Sequence, residues 1–551
     1  MKKTLIINLR RLGDVYSTGH LISSLKSQGE VEVSLLVYKE TAKAAQNLAG
    51  VTEIFEIDRQ ELITIMNNKL FTDSYALDQL YSALQPIKST KWDNVINFSN
   101  DPVGAYVCSY LEKSAQNIVG VHFNEQRNVV TQNLWEIIFN DVLTSVHQSP
   151  IHFVDCYHKM MNTAVVANEN KVKINENHFN TTKEQLAAIK TSVASDGVSP
   201  KTIGIQIATS STTKNISETT TVEFIKLLNQ MGEFIPLILI APTNEERTLA
   251  NQLNAHFDNE LIVVEADLNA LASVIANIDL LVTPDTVTKH VADLCNTSCI
   301  EISLGEAPFL KQGTYRDGSY VLTDSISRRS FKADPSFITN IKASDIFASV
   351  LYHFSNAKNI KPILSDDTTL YRATHNQNGT NYVPVAGTIE FNSEILRLMS
   401  KQLINSLTTG EESETLYTDI LSLGSTAVST WCQSEKMIVT EIMKDLLGTL
   451  RSLLQSVETK RNSREFVMNL GRLMNHCETT SVSQIATLIF KTKIESINAK
   501  SFEENAKEVE ILLYELKTNL QKNLACIKTL EDKIHVQKKE EFMQKSSPAM
   551  A

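Results

Sequence analysis

The sequence predicts two Rossmann-like α/β domains in series, followed by an all-α C-terminal extension. Three observations carry this. Up to about residue 350, short β-branched runs alternate with amphipathic stretches. The alternation falls into two series, parted by a polar, Asn-rich stretch. Beyond about residue 390 the strand signals stop and helical periodicity takes over. Strands alternating with helices imply parallel sheets clad by helices.

In the first series TLIINL, VEVSLLVY, WDNVINFS and NIVGVHF read as strands. The segments VYSTGHLISSLK and VGAYVCSYLEKSAQ read as the helices between them. The pattern restarts with KTIGIQIA, FIPLILIA, ELIVVE, IDLLVT and SCIEISL. The junction falls near HFVDCYHKMMNTAVVANENKVKINENHF, where a helical piece gives way to linker-like composition. These signals place one domain at 1–160 and a second at 161–355. A linker at 356–390 holds an Asn-Gly hairpin in TLYRATHNQNGTNYVPVAGTIEF, and a helical domain fills 391–551. In the last helix Leu513, Leu520, Ile527 and Ile534 recur every seventh residue, with Leu516 and Leu530 between them and Asn523 as a polar break. A coiled-coil seam and the buried stripe of a helical bundle both fit. The shortness of the repeat favours the bundle. Residues 505–540 are the place where self-association or a protein partner would engage, and KKEEFMQKSSPAMA reads as a frayed tail.

At 551 residues the chain is long enough for several cores. Its formal net charge of −11 argues against a nucleic-acid binder working through a global basic surface. Seven scattered cysteines form no C-x-x-C pair. That fits buried thiols in a reducing compartment better than disulfides or a zinc site. LIINL is too short for a signal-peptide core, and no apolar run approaches the roughly 18 residues of a membrane span. The expected location is the cytoplasm, with peripheral contact at the inner face of the membrane left open.

Three stretches are equipped for chemistry. In RRLGDV, Asp14 follows Gly13 where a strand runs into a helix. Loops at the carboxyl ends of parallel strands are where doubly wound folds place ligands. Gly13 allows a tight turn and close approach of a substrate. Asp14 reads equally as a helix cap or as a group that performs chemistry. An ionised carboxylate accepts a proton and cannot donate one. The second stretch is ATSSTTKNIS, after the strand IGIQI. Thr209, Ser210, Ser211, Thr212 and Thr213 offer hydroxyls and Lys214 an ammonium, a set that suits phosphate oxygens without being a Walker loop. The third is TPDTVTKHVADL, where a strand ends at Thr283 and Pro284. The helix that follows Asp285 and Thr286 bears Lys289 and His290, and its N-terminus suits a diphosphate.

Together these stretches resemble glycosyltransferase family 9, the ADP-heptose:lipopolysaccharide heptosyltransferases. The family's L-G-D-V turn is Leu12-Gly13-Asp14-Val15. Its A-T-[ST]-x-x-x-K segment is Ala208 through Lys214, and its D-[ST]-G-x-x-H segment is Asp285 through His290. WDNVINF, HFVDCYHKM and PLILIAPTNEER echo further family segments in the same order, so the resemblance covers roughly 1–350. Three features depart from the pattern. Val287 replaces the glycine of the donor motif, Asn8 replaces the basic residue usual on the first strand, and the helical extension lies outside the family core.

The resemblance implies a GT-B arrangement, in which two Rossmann-like domains face each other across a cleft. It implies inverting, metal-independent transfer of heptose or a related sugar from a nucleotide-diphosphate donor, ADP-heptose above all. The acceptor would be a lipopolysaccharide core or another surface glycan or glycolipid. Asp14 would be the general base. Thr209, Ser210, Lys214, Asp285, Thr286, Val287 and His290 would bind the donor, and Gly13, Arg10 and Arg11 the acceptor. No metal or other cofactor is expected, and no nucleic-acid partner. Two alternatives stay open: a protein glycosyltransferase acting on a surface or flagellar protein, and a non-catalytic scaffold that retains the fold.

Overall fold

The computed structural model describes all residues except 69–72, 125–126, 147–148, 167–168, 195–198, 305–307, 326–338, 356–359, 460–463, 499–500 and 547–551. By internal contacts the chain divides into two compact units. One comprises Met1–His122 and His152–Thr388, the other Phe123–Ile151 and Ile389–Ala551.

The first unit contains two sheets. The N-terminal one has five strands: β1 (Lys2–Ile7), β2 (Val31–Tyr38), β3 (Val51–Ile57), β4 (Trp92–Asn97) and β5 (Ala115–Val119). Their spatial order is β3-β2-β1-β4-β5 and every pairing is parallel. Leu5, Ile7, Leu36 and Val95 anchor its core. A two-stranded piece, β6 (His122–Phe123) with β7 (Val129–Val130), follows in the chain, and β7 belongs to the second unit.

The second sheet has eight strands. They are β8 (Lys201–Gln206), β9 (Phe234–Ile240), β10 (Ile262–Glu265), β11 (Leu280–Pro284), β12 (Cys299–Ser303), β13 (Tyr320–Asp324), β14 (Thr368–Asn376) and β15 (Gly379–Gly387). The order is β10-β9-β8-β11-β12-β13-β14-β15. Strands β8 to β13 pair in parallel, and β14 and β15 add antiparallel at the edge. The expected hairpin is therefore no linker, because β14 pairs with β13 and carries the sheet outward. Its turn places Gly379 at φ +88, a conformation glycine adopts without strain.

Three strands escaped the sequence reading, the two-residue β7 among them. In β3 (VTEIFEI) glutamates interrupt the apolar run, because an edge strand buries little. In β13 (YVLTD) a fully buried strand is only five residues long.

Strand order decides where a ligand goes. In the first sheet β1 lies between β2 and β4; in the second β8 lies between β9 and β11. Connections leave in opposite directions at these points, and each opens a crevice at the carboxyl ends of the strands.

The second unit is helical. Its long elements are Phe391–Thr409, Glu414–Leu421, Ser425–Thr459, Arg464–Asn475, Ser483–Glu495 and Phe502–Ser546. The heptad positions Leu513, Leu520, Ile527 and Ile534 are buried, and the last helix packs on Ser425–Thr459 and Ser483–Glu495. The bundle reading holds. That apolar stripe is buried inside its own unit. Asn523, fully buried, donates to Ser483 Oγ at 2.9 Å and to Glu435 Oε1 at 3.4 Å. The polar break thus pins register among three helices. The last helix runs to Ser546, so only residues 547–551 of the expected tail lie outside the described residues. Among the described residues no helix is long and apolar enough to cross a membrane.

Candidate functional site

The apolar strand β1 ends at a loop and the helix Leu12–Ser27 begins at once. Asp14 is the third helical residue. Its Oδ2 accepts the Arg11 backbone N–H at 3.3 Å and lies 3.6 Å from Arg10 Nε. This is the acidic half of a capping box, one turn inside the expected N-cap position. The carboxylate therefore does cap the helix, through one oxygen. Oδ1 has no hydrogen-bond partner among the described residues, and the side chain keeps 24% of its exposure. Both sequence readings of Asp14 fit this geometry, because a carboxylate has two oxygens. Arg10 also donates to Ser99 O at 3.1 Å, while the Arg11 side chain is exposed. Asn8 is buried, and its amide donates to Asp14 O at 3.0 Å.

The second sheet supplies the other half. The loop after β8 carries Thr209, whose N–H binds Asn215 Oδ1 at 3.0 Å and whose hydroxyl donates to Ser211 O at 2.5 Å. Ser211 and Thr213 pair at 2.8 Å, and Ser210 is exposed. The side chain of Thr212 lies outside the described residues. Much of the loop's hydroxyl set thus holds the loop's own shape. Lys214 is buried and reaches Asp285 Oδ2 at 2.8 Å.

Asp285 and Thr286 follow β11 and lead into the helix Val287–Leu294. No side chain caps this helix start: Thr286 Oγ1 pairs with Thr283 Oγ1 at 3.1 Å instead. The first N–H groups are thereby left for an anion. Val287 is the first helical residue and is not among the positive-φ positions, so valine fits here without backbone strain. The glycine of the motif is not required by conformation.

Behind Asp285 lies a buried charge network. Lys289 Nζ donates to Asp285 Oδ1 at 2.5 Å, Gln312 O at 2.8 Å and Glu301 Oε1 at 3.1 Å. Gln312 Nε2 reaches Asp285 Oδ2 at 3.3 Å, and Glu301 Oε2 accepts the Thr314 N–H at 2.6 Å. Burial opposes ionisation of Asp285, but the ammoniums of Lys289 and then Lys214 override it and hold the carboxyl far below its usual range. Burial pushes Glu301 up to about 7 against the pull of Lys289.

The two halves meet at Gly13. His290 Nδ1 lies 3.1 Å from Ser17 Oγ, whose proton goes to Gly13 O at 2.9 Å. The imidazole therefore donates from Nδ1. Burial, then Lys289, lowers its pKa to about 3, which keeps the ring neutral. A Cβ built on Gly13 would stand 2.6 Å from His290 Cδ2. The close approach expected of a substrate at Gly13 is made here by this ring. His290 accordingly faces the first sheet's turn, where sequence reasoning aimed it at the donor's phosphates. The helices Leu12–Ser27 and Val287–Leu294 pack against each other along this line.

Sequence reasoning missed four site residues. Lys289 was visible only as a helix residue, although its i,i+4 spacing from Asp285 was a usable signal. Glu301 and Gln312 carried no local signal. Lys311, on the short helix Phe309–Gln312, lies within electrostatic reach of Arg10 and Asp14. Burial and then Arg10 depress its ammonium's pKa. That helix places Gln312 against Asp285. Among the described residues no three His, Cys, Asp or Glu side chains group as a metal site would need.

Two open, largely parallel sheets whose crevice loops meet across Gly13 and His290 define the class, a two-lobed α/β fold. More particularly, residues 85–302 match the family model of glycosyltransferase family 9 (heptosyltransferase). The match takes in both second-sheet motifs and begins after the Leu12–Val15 turn. The chain is similar to the glycosyl transferase family 9 of Veillonella parvula DSM 2008, at 16% identity, 59% of this chain, 87% of that one and TM-score 0.45. It is also similar to E. coli heptosyltransferase WaaC with ADP, at 13% identity, 64% and 99% coverage and TM-score 0.45. For E. coli ADP-heptose lps heptosyltransferase II the values are 13%, 64%, 98% and 0.45. No curated protein matches the chain.

Proposed function

We propose that this chain transfers heptose or a related sugar, with inversion and without a metal, from a nucleotide-diphosphate donor to a lipopolysaccharide core or another surface glycan. ADP-heptose is the favoured donor. One observation carries the reading: Asp14, with an unpartnered carboxylate oxygen, sits at the crevice of the first sheet where the donor-motif helix of the second packs against it. The acceptor hydroxyl gives its proton to Asp14. Its oxygen forms the new bond to the anomeric carbon as the bond to the diphosphate breaks, and that bond's electron pair leaves on the diphosphate oxygen. A base so placed contributes 10²–10⁴ in rate.

Lys214 and the uncapped helix start at Thr286 and Val287 supply positive potential to the leaving group. Thr209 and Ser210 flank it, and Asp285 takes donor hydroxyls. Arg10 and Arg11 meet an anionic acceptor. All seven cysteines are free and buried, which supports work in a reducing compartment, the cytoplasm at the inner face of the membrane.

The test has two stages. A panel of nucleotide sugars is scored by thermal stabilisation, since a ligand of the folded form raises apparent stability. Transfer to candidate glycans and proteins is then followed by mass spectrometry for wild type and Asp14→Asn. The variant is expected to bind donor and transfer nothing. Full turnover by Asp14→Asn would falsify the base assignment, and product on a protein alone would replace the glycan acceptor.

A further inference from the structure

We propose that Lys289 is a positioning residue of the donor site: it is the standing counter-ion of Asp285, which leaves Lys214 free to exchange Asp285 for the donor's diphosphate. This rests on the donor-site reading above and adds a residue to it.

The two lysines beside Asp285 differ in kind. Lys289 is fully buried, and its three N–H groups are matched by three acceptors: Asp285 Oδ1, Glu301 Oε1 and Gln312 O. An ammonium has only three donors, so Lys289 is saturated and cannot reach a ligand. Lys214 keeps 8% side-chain exposure and makes one hydrogen bond, to Asp285 Oδ2. Two of its donors are unspent among the described residues.

The charge balance explains why both are needed. Two ammoniums face two carboxylates, Asp285 and Glu301. If Lys214 turns to a diphosphate, Asp285 stays paired through Lys289 and keeps the Gln312 amide on Oδ2. Without Lys289, Lys214 would be the sole cation beside the buried carboxylate of Asp285. Drawing it away would leave a buried charge unpaired, which is costly. The diphosphate would also approach an uncompensated carboxylate. Lys289 thus acts on the donor through Asp285 and Lys214, without touching it.

The test uses the full chain and three probes, ADP, UDP and inorganic pyrophosphate, titrated by calorimetry. Lys289→Met alone strands Glu301, so the working variant is K289M/E301L, which swaps a buried ion pair for apolar volume, a change often neutral for stability. It is expected to fold with a lowered melting temperature, because the Thr314 N–H loses its acceptor, and to bind the tightest probe about tenfold more weakly (about 1.4 kcal/mol). E301L alone, which keeps Lys289 on Asp285, is expected to retain wild-type affinity. Asp285→Asn releases Lys214 from its pair, so pyrophosphate affinity should hold or rise. Adding K289M and E301L together to D285N should change it no further. Wild-type affinity in K289M/E301L overturns the proposal. So does a tenfold loss of pyrophosphate affinity in D285N, which remains decisive if the double variant does not fold. A wild type that binds none of the three probes overturns the donor-site reading itself.

Discussion

Replacing Gly13 with alanine tests the meeting of the two halves of the site. An ideal Cβ at Gly13 would lie 2.6 Å from His290 Cδ2 and 2.8 Å from Nε2, well inside van der Waals contact. Two effects of opposite sign follow. Gly13 is a helical residue outside the positive-φ set, so alanine by itself stabilises, by about 0.4–1 kcal/mol. The overlap costs about 1–3 kcal/mol if the ring is held. If the ring withdraws, its hydrogen bond to Ser17 is lost, at about 0.5–1.5 kcal/mol. With the ring held, the net effect in the native background is destabilisation of up to about 2.6 kcal/mol. With His290→Ala the obstacle is gone and only the first effect survives, so the sign reverses. The assay is a double-mutant cycle by chemical denaturation. Coupling of about 1–3 kcal/mol with a change of sign is expected. If Gly13→Ala shifts stability equally in both backgrounds, the two side chains do not meet and the contact described here is wrong.

Acid should weaken the first unit through its buried histidines. Burial lowers His152 to about 3 and His158 to about 4. Their unfolded imidazoles take protons below about pH 6.5, where the folded ones do not. The folded state then binds fewer protons than the unfolded, and stability falls as pH drops from that point. Each group contributes at most about 1.4 kcal/mol per pH unit. Melting temperatures between pH 7.5 and 5 that stay level would refute this. Gly379→Ala forces φ +88 on an L-residue and drives a methyl to 2.6 Å from Asp155 Oδ2, which accepts the Thr380 N–H at 2.7 Å. A loss of about 2 kcal/mol or more is expected by denaturant titration. Leu520→Ala opens a hole in the helical bundle and should cost about 2–5 kcal/mol there, read by hydrogen exchange of the last helix.

Much of the architecture was legible before any coordinates. Runs such as FIPLILI, buried on both faces of a parallel sheet, announce themselves by continuous apolarity. The three motifs were legible for the same local reason: a strand end, a polar loop and a helix start lie consecutively in the chain. VTEIFEI at the sheet edge was not legible, because an edge strand needs little apolar surface.

The sequence alone determined which loops follow β1, β8 and β11, and so where Asp14, Lys214 and Asp285 lie along the fold. Periodicity and loop chemistry act over a few residues and can be read in one dimension. Only the tertiary structure decided that His290 would lie on Gly13, that the hairpin at 368–387 would extend a sheet, and that Lys289 would lose all contact with water. Those outcomes depend on which surfaces pack together, over separations from 12 residues of chain (Lys289 to Glu301) to 273 (Ser17 to His290). A lysine reads the same in sequence whether it ends in solvent or among two buried carboxylates.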